Sequence, residues 1–123
     1  MNMIETVVSL ETARLLKEKE FSVNTNAYYD DCDRLQADKP GNDWNDPLYL
    51  GTICSAPTQS SAQQWLRTLG VHIEILLEED PPYESYYYRV VKVGQYSSLG
   101  HNPFKGTYEE ALEEGLGQAL RLI

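Results

Sequence analysis

The stretch "VHIEILLEEDPPYESYYYRVVKV", residues 71–93, decides the fold. Its first seven residues alternate. Val71, Ile73, Ile75 and Leu77 fall to one side and His72, Glu74 and Leu76 to the other, the period of two that marks a strand. "EEDPPYES" then turns the chain, because neither Pro81 nor Pro82 carries an N–H for a ladder. "YYYRVVKV" alternates again, with Tyr86, Tyr88, Val90 and Lys92 on one side and Tyr87, Arg89, Val91 and Val93 on the other. The reading is an antiparallel hairpin. Charge chooses its inner side: Arg89 stands in mid-strand, whereas Lys92 stands at a strand end and can extend its amine to water. Tyr86, Tyr88 and Val90 are therefore predicted to face helices, and Tyr87 and Arg89 to lie on the outer face.

Two helices flank the hairpin. In "SAPTQSSAQQWLRTLG" (55–70), Thr58 is a cap, Gln59–Leu69 the helix and Gly70 its C-terminal stop. Ala62, Trp65, Leu66 and Leu69 fall at i, i+3, i+4 and i+7, one helical face. "TYEEALEEGLGQALRLI" (107–123) opens with Thr107 and Glu110 at capping-box spacing. Its stripe runs through Tyr108, Ala111, Leu112, Gly115, Leu116, Ala119, Leu120 and Ile123. Gly115 is unfavourable in a helix, but with Ala111 and Ala119 it makes a small-residue strip that lets the helix lie close to a sheet. Between strand and helix, "GQYSSLGHNPFKG" (94–106) reads as a loop, with a short third strand near 95–99. Upstream, Ser9 caps a helix from Leu10 to about Glu20. Val8 and Ala13 hold the positions of a hydrophobic staple there, and Leu10, Ala13, Leu16 and Phe21 are apolar.

Residues 22–52 are acidic and rich in Asn, Asp, Gly and Pro. The reading is an irregular or loosely hairpinned segment, with short strands at 26–29 and 48–53 and a turn at "DKPGND" (38–43). The whole is an α+β single domain, 1–123. A small antiparallel sheet is built from 71–78, 86–94 and one or two strands of 26–53. The second and last helices pack on one face, and the first helix packs at the edge.

Composition limits the chemistry. Hydrophobic residues make up 41% and charged residues 24%, enough for a buried core. There is no apolar run of about 18 residues, and the N-terminus lacks the organisation of a signal peptide. Cys32 and Cys54 are the only cysteines, which reads as reduced thiols and a cytoplasmic location, with no membrane partner. The net charge of −9 repels phosphate. "DDCDRLQAD" begins like a calcium loop but has Leu35 and Gln36 where ligand and glycine are needed, so it reads as a solvated acidic turn. "GNDWND" is a turn first and a cation site second. No metal-ligand spacing, phosphate loop or nucleophile elbow occurs, and no cofactor or catalytic residue is assigned. Cys54 beside His72 or His101 is the one nucleophile pairing considered, and a buried inert thiol is the preferred alternative.

Tyr87 and Arg89 are the candidate binding residues. They serve either as cross-strand packing on a half-wet sheet or, with Lys92 and Lys105, as a base-stacking platform. Three stretches, "SLETARLLKEKEF", "SAPTQSSAQQWLRTLGVHIEI" and "TYEEALEEGLGQALRLI", together resemble small uncharacterised proteins of phages, prophages and other mobile elements of gut bacteria. The resemblance implies an accessory protein and transfers no catalytic residue. The functional expectation is a non-enzymatic protein-interaction module that binds itself or another protein. The alternatives are an acidic inhibitor that mimics nucleic-acid charge and a weak single-stranded nucleic-acid binder.

Overall fold

The computed structural model describes residues 5–49, 51–80, 83–94, 100–104 and 106–123. In chain order the elements are α1 (Leu10–Glu18), β1 (Thr25–Tyr29), β2 (Leu35–Asn42), β3 (Cys54–Ser55), α2 (Gln59–Thr68), β4 (Val71–Asp80), β5 (Tyr83–Lys92), β6 (Gly100–Phe104) and α3 (Tyr108–Leu122). The fold is α+β with antiparallel sheets. It divides into two compact units, 1–58 and 59–123.

The first unit holds a sheet of order β2-β1-β3, against which α1 packs. This corrects one expectation: the strands of 26–53 form a sheet of their own and do not extend that of the 71–93 hairpin. Ser9 caps α1 by accepting from the Thr12 N–H. The helix ends in a Schellman arrangement. Phe21 N–H donates to Leu16 O and Glu20 N–H to Lys17 O, with Glu20 at φ 66°. Leu16 and Phe21 are both fully buried, the apolar contact that accompanies this motif.

β1 and β2 are joined through "DDCD". Asp30 N–H donates to Arg34 O, Asp33 N–H returns to Asp30 O, and Asp33 sits at φ 62°. That is a three-residue hairpin loop closed by a left-handed residue. The expected turn at 38–43 is instead absorbed into β2. Its register jumps from Ala27↔Ala37 to Thr25↔Asn42, so the extra residues bulge out of the ladder. Gly41 is needed there, since a Cβ would stand 2.7 Å from Asn26 Oδ1 and 3.0 Å from Thr25 O. The expected strand at 48–53 is also corrected: none of its described residues is in a strand, and β3 pairs with β1 at Cys54–Ser55.

Within the segment expected to be irregular or loosely hairpinned, 22–52, Trp44 and Asn45 centre a polar knot. Trp44 is nearly buried, its ring stacked on Tyr28 at 4.2 Å, and Nε1–H donates to Thr25 O. Trp44 N–H donates to Ser55 Oγ. Asn45 accepts from Ser55 N–H and donates to Phe21 O. Among the described residues no buried side-chain polar atom lacks a hydrogen-bond partner.

The second unit holds a sheet of order β4-β5-β6 with α2 and α3 on one face, as the alternation predicts. Val71, Ile73, Tyr88 and Val90 are buried beneath the helices. Gly115 bears out the close-approach reading, because a Cβ would lie 2.9 Å from Ile73 Cγ2 and 3.2 Å from Tyr88 Cβ. The capping box of Thr107 and Glu110 is formed. Gln59 is buried and donates through Nε2 to Glu109 O, tying the start of α2 to α3. Leu69 departs from its predicted stripe: α2 stops at Thr68 and Leu69 is exposed. β6 lies at 100–104, within the stretch read as loop. The short strand expected at 95–99 falls outside the described residues.

Candidate functional site: the outer face of the second sheet

The β4–β5 register places the two candidate residues. Tyr87 stands opposite Leu76 and Arg89 opposite Glu74, with His72 opposite Val91 further along. These six positions share the face turned away from the Ile73, Tyr88 and Val90 side that α2 and α3 cover. Tyr87 and Leu76 are half-buried, and Arg89 is exposed. Tyr86 is on the inner side and meets Tyr108 of α3 edge-on at 5.8 Å.

The electrostatics of this face differ from those of a base-stacking platform. Arg89 forms an ion pair with Glu74 across the strands. Both groups are open to solvent, so the pair contributes at most about 1 kcal/mol. It places the guanidinium beside a carboxylate. Lys105 lies outside the described residues. Glu74 and Leu76 stand on this face with Tyr87 and Arg89, as the alternation of 71–77 predicts. The register puts 74 opposite 89 and 76 opposite 87.

The remaining candidates are divided between the two units. Cys54 is buried in the first unit, and burial pushes its thiol above the usual 9.0, favouring the unreactive protonated form. His72 lies on β4 of the second unit, and His101 stands opposite Arg89 in the β5–β6 register. Cys32 is exposed in the β1–β2 turn, and neither cysteine is in a disulfide. The carboxylates of "DDCD" and "NDWND" are occupied, Asp33 with the Arg14 guanidinium at 2.8 Å and the others with backbone N–H groups. Asp30 accepts from the N–H groups of Cys32 and Arg34 and from the Gln36 amide, Asp31 from Thr52 N–H, Asp43 from Asn45 N–H and Asp46 from Leu48 N–H. Among the described residues no group of three or more His, Cys, Asp or Glu is arranged to hold a metal ion. None of their helices is long and apolar enough to cross a membrane.

Comparison with known proteins adds no relative: no family model, curated protein or solved structure matches the chain.

Proposed function

We propose that this chain is a non-enzymatic protein-interaction module whose contact surface is the outer face of the β4-β5-β6 sheet, centred on Tyr87 and Arg89. One observation carries the reading. Helices cover one side of the sheet, while the other presents a tyrosine beside a leucine and an arginine held in place by Glu74. Tyrosine and arginine are the side chains that most often dominate protein contacts, because each offers a large apolar surface with a polar end. The ion pair orders Arg89 before contact, which lowers the entropy lost on binding.

The test uses two baits, the wild-type chain and a Tyr87→Ala/Arg89→Ala variant, in parallel captures from cells of the native source, eluted in salt steps. The wild type is expected to retain a stoichiometric partner, or a second copy of itself. The variant should lose at least about 2 kcal/mol of that affinity, roughly thirtyfold. Retention of the same proteins by both baits would refute the reading. Release of a basic nucleic-acid enzyme by modest salt from both baits would favour the charge-mimic alternative.

A further inference from the structure

The two edges of the second sheet differ, and the difference is legible in its hydrogen bonds. Val93 N–H donates to Gly70 O, so 70 and 93 form a bonded pair. The register then runs without a bulge from Val71↔Lys92 to Asp80↔Tyr83. Even-numbered residues of β4 therefore bond to β5, and the odd-numbered ones turn their N–H and C=O groups to the open edge. Gln63 agrees with this assignment, since its Nε2 donates to the outward carbonyl of Ile73 at 3.0 Å. The same alternation carried through β5 turns the backbone of His101 and Pro103 in β6 outward. Pro103 thus lacks an N–H at a position where the ladder needs none, and it blunts that edge. On β4, Gln63 occupies Ile73. Beyond it, Ile75, Leu77 and Glu79 present outward backbone groups, and among the described residues no strand pairs with them.

We infer that the β4 edge from Ile75 to Glu79 accepts an extended, lysine- or arginine-bearing segment of another protein as an added strand. Charge selects the occupant. By sequence and register Glu78, Glu79, Asp80 and Glu84 all stand at this end of the hairpin, and 74–84 contains no base. A second copy of β4 fits poorly. Antiparallel self-pairing centred on Leu77 sets Glu74 opposite Asp80, and centring on Leu76 sets Glu74 opposite Glu78; both place like charges face to face. Centring on Ile75 avoids this but needs the Ile73 carbonyl, which Gln63 occupies. A basic strand meets neither obstacle. The inference stands on the edge of the sheet and not on its outer face, so it goes beyond the function proposed above.

The test is amide hydrogen exchange read by NMR, with a synthetic peptide of alternating lysine and valine as the probe and its glutamate counterpart as the control. In the free protein, Ile75 and Leu77 amides should exchange faster than those of Glu74 and Leu76, which bond to β5. The lysine peptide is expected to slow Ile75 and Leu77 by about tenfold or more at low salt. The glutamate peptide should not. Leu77→Pro removes one outward N–H without touching a β4–β5 bond, and should abolish the effect while Glu74 and Leu76 stay protected. Should that variant fail to fold, Glu79→Lys/Asp80→Lys serves instead, and is expected to reverse the preference between the two peptides. Tyr87→Ala/Arg89→Ala should leave lysine-peptide binding intact. Absence of protection at Ile75 and Leu77, or equal protection by both peptides, would overturn the inference. Protection that grows with protein concentration alone would replace it with self-pairing.

Discussion

Gly115 is buried where α3 crosses the sheet, and its missing side chain sets how closely the two approach. Alanine there gains about 1 kcal/mol of helix propensity. It also forces a Cβ to 2.9 Å from Ile73 Cγ2 and 3.2 Å from the Tyr88 Cβ, both core atoms with little room to move. Overpacking of that kind costs about 1–3 kcal/mol, so Gly115→Ala is expected to destabilise by about 1 kcal/mol net. Urea denaturation checks this, and a gain in stability would show that the helix can lift without loss. Glu20 is the opposite case. It holds φ 66° at the end of α1, a conformation that favours glycine. Glu20→Gly should raise stability by about 0.5–1 kcal/mol, the relieved strain outweighing the extra freedom of the unfolded chain. Asp30 adds a pH dependence. The Arg34 N–H, then the Gln36 amide and the Cys32 N–H, hold its carboxyl below the ordinary 3.8. A carboxylate depressed in the folded state stabilises it above the unfolded value of 3.8, and that contribution disappears as pH falls through the lower folded value. Melting temperatures followed from neutral pH into acid should therefore fall less steeply for Asp30→Asn than for the wild type.

At the scale of elements, the regular pieces were legible and the irregular ones were not, for a physical reason. β4, β5, α2 and α3 carry their periods in long runs, and α3 adds a capping box, so alternation alone oriented Tyr87 and Arg89 correctly. β2 was hidden because Pro40 and Gly41 signal a turn locally, yet the strand tolerates them as a bulge at an outer position of its sheet. β6 was hidden by Pro103 in the same way, at an edge where a proline removes no ladder bond. The strand at 48–53 was misplaced because side chains, not periodicity, organise that region. Asp46 turns the chain by accepting from Leu48 N–H, and Asp31 takes Thr52 N–H from across the unit. Asn45 is the clearest such organiser, bonded to Ser55 N–H and to Phe21 O. Asn45→Ala strands both groups and should cost about 2 kcal/mol, whereas Asn45→Asp keeps the acceptor and should cost less. Equal losses for the two variants, measured by urea denaturation, would show that the Ser55 bond adds nothing.

For the molecule as a whole, charge and surface point the same way. A net charge of −9 opposes phosphate, and the arginine that sequence reading offered to a nucleic acid is already paired with Glu74. Single-stranded DNA or RNA titrated at low salt is expected to give no mobility shift, and a shift lost in Tyr87→Ala would reverse that view. The account rests on the outer sheet face being the contact surface. The most direct measurement is site-specific photo-cross-linking in cells of the native source. A photoreactive phenylalanine analogue replaces Val91, which shares that face and leaves Tyr87 and Arg89 intact. A control carries the analogue at Glu109, exposed in the first turn of α3. The account predicts one discrete adduct from position 91, containing a partner protein or a second copy of this chain, and none from position 109. No adduct from 91, or the same adducts from both positions, would contradict it.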